Sequence, residues 1–118
     1  MIEFQTNAFK RALSQGKLQI GLWSSLCSNI AAEIISDSGF DWILLDTEHS
    51  PNEIPDLVTQ LQAIQRGTAT PIIRPASNDA VLAKRALDIG AQGVHVPEVN
   101  TVPPLMKMPV KFPAVVPA

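Results

Sequence analysis

The chain has 118 residues, of which 46% are hydrophobic and 17% charged, a composition typical of one globular domain with an apolar core. A net charge of −2 argues against a nucleic-acid partner, and no apolar run approaches the roughly 18 residues of a membrane span. Residues 1–17 lack the apolar segment of a secretory signal, and the single cysteine, Cys27, excludes an internal disulfide. We therefore expect a cytoplasmic protein.

The first part of the chain predicts a helix, a strand and a second helix. Apolar residues at helical spacing predict a helix at 7–15, and the strand that follows at 18–25 ends near Trp23. The second helix is predicted at 29–38, before Gly39. Its apolar face is predicted to comprise Ile30, Ala31, Ile34 and Ile35.

The stretch FDWILLDTEHSPN, residues 40–52, is the most informative part of the sequence. Its largely apolar first half predicts a buried strand of a parallel sheet at 40–45. Asp46, Glu48 and His49 follow this strand directly, at its carboxyl end. In α/β folds this end of the sheet is where ligands bind and chemistry occurs.

The remaining elements repeat the alternation of helix and strand. A helix is predicted at 53–65, a strand at 70–75, a second helix at 79–89 and a last strand at 93–97. The apolar stripe of the first of these helices comprises Ile54, Leu57, Val58, Leu61 and Ile64.

This alternation predicts right-handed βαβ units and a parallel sheet, and thus an α/β fold. Each predicted strand leads to a residue that is not needed for packing, namely Trp23, Asp46, Arg74 and Glu98. Strand ends that converge on one rim are typical of a (β/α)₈ barrel, and four strands would form its N-terminal half. A flavodoxin-like open sheet is the alternative, although no glycine-rich phosphate loop supports it.

Residues 102–118 differ from the rest, since they hold five of the ten prolines. Proline at this density forbids the helix that a βα unit requires. We therefore predict a partial barrel domain at 1–101 and an irregular tail at 102–118.

The strings QIGLW, FDWILLDTEHSPN, PIIRP and LDIGAQGVHVPEVNT together resemble the metal-dependent, class II pyruvate aldolases of the HpcH/HpaI family. The resemblance extends over residues 7–101. It implies a (β/α)₈ barrel, a homo-oligomer, a divalent metal (Mg²⁺, Mn²⁺ or Co²⁺), and reversible aldol addition of pyruvate to an aldehyde.

The resemblance also implies roles for individual residues. His49 matches the general base, and Asp46 matches the acid that orients it. Arg74 matches the arginine that binds the pyruvate oxygen, and Asp88 matches an acid that reaches a neighbouring subunit's site. Glu48 is expected near the metal and its waters, and Trp23 is expected to contact the substrate.

Two departures from the family pattern affect these expectations. His95 and Glu98 occupy positions that are usually apolar, which raises the alternative of a separate metal site at these two residues. The family's own metal ligands follow the fifth and sixth strands, which the sequence does not contain. We therefore expect a weak or inactive N-terminal half, with the tail arising from a lost reading frame near residue 101.

Other interpretations stay open at this point. The chain is alternatively a non-catalytic remnant or assembly module that pairs with itself or with a full-length homologue. A third interpretation is an independent open-sheet binding domain. Each site residue also has a structural alternative: Asp46 as a cap, His49 and Asp88 as surface groups, Arg74 as a partner of a rim acid, and Trp23 and His95 as packing residues.

Overall fold

A computed structural model gives the fold for residues 6–99 and 114–115. Helices and strands alternate as α1 (Ala8–Ser14), β1 (Gly21–Ser24), α2 (Asn29–Ser36), β2 (Trp42–Asp46), α3 (Ile54–Ile64), β3 (Thr70–Arg74), α4 (Ala80–Asp88), β4 (Gly93–His95) and β5 (Ala114–Val115). The helices begin where their sequences offer caps: the side chains of Asn7, Ser28 and Asp79 accept hydrogen bonds from the first turns of α1, α2 and α4. The predicted element types over residues 7–97 are all confirmed.

All five strands are parallel and lie in the order β1-β2-β3-β4-β5. Each strand therefore pairs with the next strand along the chain. A doubly wound open sheet instead reverses its strand order at a switch point, whereas a barrel adds its strands in sequence. The order confirms the prediction of a partial (β/α)₈ barrel and argues against the flavodoxin-like alternative.

The outward face of the sheet carries the main core. Ile43 and Leu45 of β2 and Ile73 of β3 are fully buried, and they pack against Leu57 and Leu61 of α3. These outward side chains alternate with inward ones along each strand, because successive residues of a strand point to opposite faces.

The inward face is closed at its amino end by α1. Phe9 packs with Leu44 and Ile72 and contacts the Trp42 ring edge to face, with the ring centroids 6.3 Å apart. The Asn7 amide also donates to the carbonyl of Gln92 at 2.6 Å. Above this layer the inward face opens into a cleft of about 460 Å³ that reaches Trp23 and His95.

The predicted apolar face of α2 is wrong at two of its four residues. Ile30 and Ile34 are 68% and 65% exposed, whereas Ile35 packs against the main core as predicted. The fully buried residues of α2 are Ala32 and Ser36. Small residues let α2 lie close to α3, and the Ser36 carbonyl accepts hydrogen bonds from the main chain just after α3.

The stripe predicted for α3 is confirmed at Leu57, Leu61 and Ile64, while Ile54 and Val58 are half-buried. The predicted irregular tail lies outside the described residues, except that Ala114–Val115 form β5 beside β4. Among the described residues, no helix is long and apolar enough to cross a membrane.

Candidate active site

Three inward side chains lie at the carboxyl ends of adjacent strands. Asp46 ends β2 and is paired in register with Arg74, the last residue of β3. Ile72 of β3 is paired with Gly93 of β4, so His95 comes level with Arg74 two residues farther along each strand. The sheet thus brings a carboxylate, a guanidinium and an imidazole to one edge.

The Asp46 side chain accepts three hydrogen bonds although it is only 2% exposed. The donors are the Trp23 indole Nε1–H at 2.9 Å and the main-chain N–H groups of Glu48 at 2.8 Å and His49 at 3.1 Å. Burial alone would raise the pKa of Asp46. These three hydrogen bonds and the positive charge of Arg74 outweigh that effect and hold the pKa below its ordinary value of 3.8.

The Asp46 main chain fixes the turn that follows β2. Its carbonyl accepts from the Asn52 amide at 2.9 Å and from the Ser50 hydroxyl. The Gln60 amide, buried on α3, donates in turn to the Asn52 side-chain oxygen at 2.7 Å. The turn bearing Glu48 and His49 is therefore held from both the strand and the helix.

Glu48 lies between the Arg74 guanidinium and the His49 imidazole at this edge. One of its oxygens accepts an ion-paired hydrogen bond from the Arg74 guanidinium, and both side chains are largely buried. Its other oxygen lies 3.4 Å from the Nε2 of His49, whose side chain is 70% exposed. Thr47 adds a second link, since its N–H and hydroxyl both donate to the Arg74 carbonyl.

The Trp23 indole lies among these groups. The central carbon of the Arg74 guanidinium is 5.3 Å from the centroid of the indole, a cation–π contact. The His95 ring contacts the indole edge to face, with centroids 5.4 Å apart and planes at 73°. We use the term rim cluster for Trp23, Asp46, Glu48, His49, Arg74 and His95.

Five of the six residues predicted for the site lie in this cluster, and Asp88 does not. Asp88 is exposed in the last turn of α4, which leads to the amino end of β4 and thus to the opposite edge of the sheet. It forms no side-chain hydrogen bond or ion pair with the described residues. The contact of Asp88 with a neighbouring subunit stays a prediction.

The contacts of Asp46 and His49 differ from the predicted arrangement. We predicted that Asp46 orients the imidazole of His49, but in the structure its carboxylate binds the main-chain N–H of His49. The imidazole itself lies nearer to Glu48. Asp46 therefore positions His49 through the backbone turn.

The described residues contain no group of three or more His, Cys, Asp or Glu side chains that could hold a metal ion. His95 and Glu98 accordingly belong to no such group among the described residues. The carboxylate oxygens of Asp46 accept hydrogen bonds from Trp23 and the turn, and Glu48 accepts one from Arg74.

The sequence analysis did not assign two contributors to this site. His95 was interpreted as a packing residue or as part of a separate metal site with Glu98. Val94 and Val96 beside it point outward, however, so period-two alternation indicates an inward side chain. The Gln60–Asn52 hydrogen bond carried no sequence signal, because a polar residue inside a helical apolar stripe does not reveal its partner.

Comparison with known proteins identifies this architecture. Residues 19–112 match the family model described as HpcH/HpaI aldolase/citrate lyase. The chain belongs to this family.

Individual HpcH/HpaI relatives agree with that assignment. A pyruvate aldolase of Rhizobium etli is 53% identical over 84% of this chain and 39% of its own length. A 4-hydroxy-2-oxo-heptane-1,7-dioate aldolase of Klebsiella pneumoniae is 53% identical over 80% of this chain and 36% of its own. The crystal structure of a family protein from Burkholderia cenocepacia superposes with a TM-score of 0.77 at 39% identity, covering 81% of this chain and 38% of its own. This chain thus spans less than two-fifths of these relatives.

Replacing Asp46 by Asn should lower the free energy of unfolding, because a neutral amide accepts hydrogen bonds more weakly than a carboxylate and offers N–H groups to existing donors. We expect a loss of about 1.5–3 kcal/mol at neutral pH. Since the folded pKa of Asp46 lies below 3.8, its stabilising effect is present above that value and disappears as pH falls through the folded pKa. The difference between wild type and Asp46→Asn in urea unfolding should therefore shrink below about pH 4.

The matched control is Asp88→Asn, which removes an exposed carboxylate and should change stability by less than about 0.5 kcal/mol at any pH. A difference between wild type and Asp46→Asn that stays constant down to pH 2 would contradict the assigned role of the carboxylate.

Proposed function

We propose that this chain supplies the proton-transfer and oxyanion-binding edge of a carbon–carbon lyase, which cleaves 2-oxo-acid aldols into pyruvate and an aldehyde and also runs in reverse. The names of the curated relatives, a pyruvate aldolase and an oxo-heptanedioate aldolase, support this class of reaction. Our proposed partners are therefore small molecules, and we place the enzyme in the cytoplasm.

The observation that carries this proposal is the arrangement around Glu48. One carboxylate pairs with the Arg74 guanidinium on one side and lies beside the His49 imidazole on the other. A fixed cation and an accessible base are thus held next to each other at the carboxyl edge of a parallel sheet. Aldol cleavage needs these two groups, one for the developing negative charge and one for the proton.

The proposed chemistry uses each group once in the cleavage direction. His49 takes the proton of the C4 hydroxyl, the C3–C4 bond breaks, and the aldehyde leaves. The electron pair of the broken bond forms the enolate of pyruvate, whose C2 oxygen the Arg74 guanidinium stabilises by charge and hydrogen bonding. A proton delivered to C3 then gives pyruvate. Because the His49 side chain is exposed, it can exchange the proton taken from the C4 hydroxyl with solvent.

We also propose that the reaction depends on a divalent metal, Mg²⁺, Mn²⁺ or Co²⁺, as the resemblance implies. The described residues alone do not fit such an ion. For this reason we assign the chain's own residues only to proton transfer, oxyanion binding and their support.

The test is a chimeric enzyme in which residues 7–99 of this chain replace the matching segment of the Klebsiella pneumoniae 4-hydroxy-2-oxo-heptane-1,7-dioate aldolase. With Mn²⁺ present it should release pyruvate from 4-hydroxy-2-oxoheptane-1,7-dioate. His49→Ala should lower kcat by about 10²- to 10⁴-fold because the base is lost. Arg74→Lys should lower kcat by about 10²-fold because a point charge replaces the planar guanidinium.

The control for Arg74→Lys is Arg85→Lys, an exposed position on α4 that should leave activity unchanged. Retention of more than half the activity in both His49→Ala and Arg74→Lys would refute the proposed roles.

A second function, assembly, is favoured by the exposed apolar residues of α2. Ile30 and Ile34 are one turn apart, and Leu26 in the preceding loop is also exposed. Large apolar side chains exposed one turn apart on a helix are a feature of interaction sites. We propose that this flank pairs with another copy of the chain or with a full-length homologue, in keeping with the homo-oligomer that the resemblance implies.

Sedimentation velocity should then show self-association of the purified chain. The double substitution Ile30→Lys and Ile34→Lys should shift it towards the monomer, because two charges cannot be buried in an apolar contact. Val81→Lys is the control, since Val81 is 61% exposed on α4. A monomeric wild type, or the same shift in the control, would exclude assembly through α2.

A further inference from the structure

His95 lies at the inner face of the sheet and not in the outer core. Its neighbours Val94 and Val96 pack outward with Ala83 of α4. His95 itself points the other way, level with Arg74 on the adjacent strand, and borders the inner cleft. The aldolase chemistry proposed above gives it no role.

Trp23 is the residue that His95 contacts. Trp23 lies on β1, which pairs with β2 alone among the described strands, and nearly half of its surface is exposed. Its indole is nevertheless fixed by Asp46 at Nε1, by Arg74 over its ring and by His95 edge to face. Asp46 and Arg74 are both charged groups, so His95 supplies the ring contact among these three.

We propose that His95 is a positioning residue, whose ring packs against Trp23 and thereby keeps the indole hydrogen-bonded to Asp46 and stacked with Arg74. An edge-to-face aromatic pair is stabilising beyond the burial of area that it brings. It therefore favours one orientation of the half-exposed indole. The effect of His95 on catalysis rests on the proposed aldolase function, whereas its effect on the position of Trp23 does not.

The surroundings of His95 favour a neutral ring held by packing. Burial lowers the pKa of His95, and so does the nearby positive charge of Arg74; the opposing effects of Asp46 and Glu48 are smaller. The Nδ1 atom of His95 is buried and has no hydrogen-bond partner among the described residues. A neutral imidazole at neutral pH therefore lies beside Arg74 without charge repulsion, and its contact with Trp23 does not require hydrogen bonding.

Hydrogen exchange of the Trp23 indole N–H in the full 118-residue chain tests this proposal, and the chain's two tryptophans make the measurement internally controlled. In ¹⁵N NMR spectra, Trp23→Phe assigns the two indole signals. His95→Ala should speed exchange at Trp23 by at least about 10-fold, because the indole leaves Asp46 more often. Exchange at Trp42, which packs with Phe9, should not change.

His95→Phe keeps an aromatic ring and should retain the slow exchange at Trp23. The carboxyl titration of Asp46 gives a second readout, which a general loss of stability would not move. Its midpoint should rise in His95→Ala, since the Trp23 hydrogen bond is weakened, and should stay at the wild-type value in His95→Phe.

Two results would overturn the proposal. One is unchanged Trp23 exchange in His95→Ala. The other is equal acceleration in the Ala and Phe variants, since then the ring contact does not hold the indole. Acceleration at both tryptophans would mean general loosening of the fold and would also count against a specific role.

The catalytic consequence is measured separately in the chimeric enzyme. His95→Ala should lower kcat about 10-fold and His95→Phe should restore it, because the Arg74 guanidinium that stabilises the enolate loses its contact with a fixed Trp23 indole. An inactive chimera with the predicted NMR result would refute the aldolase function and leave the positioning role intact. An active chimera with unchanged Trp23 exchange in His95→Ala would support the aldolase function and refute the positioning role.

Discussion

The rim cluster depends on the buried carboxylate of Asp46. A carboxylate removed from water must have its oxygens satisfied, and here three N–H donors from two parts of the chain do so. The indole of Trp23 brings β1 into the site, and the two main-chain donors curl the chain after β2 back over the strand end. If Asp46 were not charged, the indole N–H and the two main-chain N–H groups of the turn would lose their charged acceptor.

The layers of the half barrel explain why the chemistry lies at one edge. At the amino end of the inner face, α1 covers an apolar layer of Trp42, Leu44 and Ile72. One step farther along the strands, the inward residues become Asp46, Arg74 and His95. The polar groups thus lie at the carboxyl edge of the sheet, where the His49 side chain, 70% exposed, is accessible to a ligand.

The sequence predicted the elements of this fold well because its helices have capping residues and its strands are apolar runs bounded by turns. It predicted the edge at which Asp46, Glu48, His49 and Arg74 meet for the same reason, since parallel strands align their carboxyl ends. The sequence analysis offered pairing of Arg74 with a rim acid only as an alternative, and it did not identify Glu48 as that acid, because the sequence does not fix the side-chain rotamers. It was wrong about Ile30 and Ile34 of α2, which remain exposed because the smaller Ala32 and Ser36 permit close approach to α3. It did not place His95 in this cluster, since a single polar residue between two valines resembles a strand interior unless its side of the sheet is considered.

The most direct test of this account is the titration of the Asp46 carboxyl carbon by ¹³C NMR in the wild-type chain and in Trp23→Phe. The account predicts a midpoint below 3.8 in the wild type, because the hydrogen bonds and Arg74 outweigh burial. Phenylalanine keeps the ring but cannot donate, so the midpoint should rise in that variant. A wild-type midpoint at or above 3.8, or one that Trp23→Phe does not move, would contradict the claim that Asp46 organises the site.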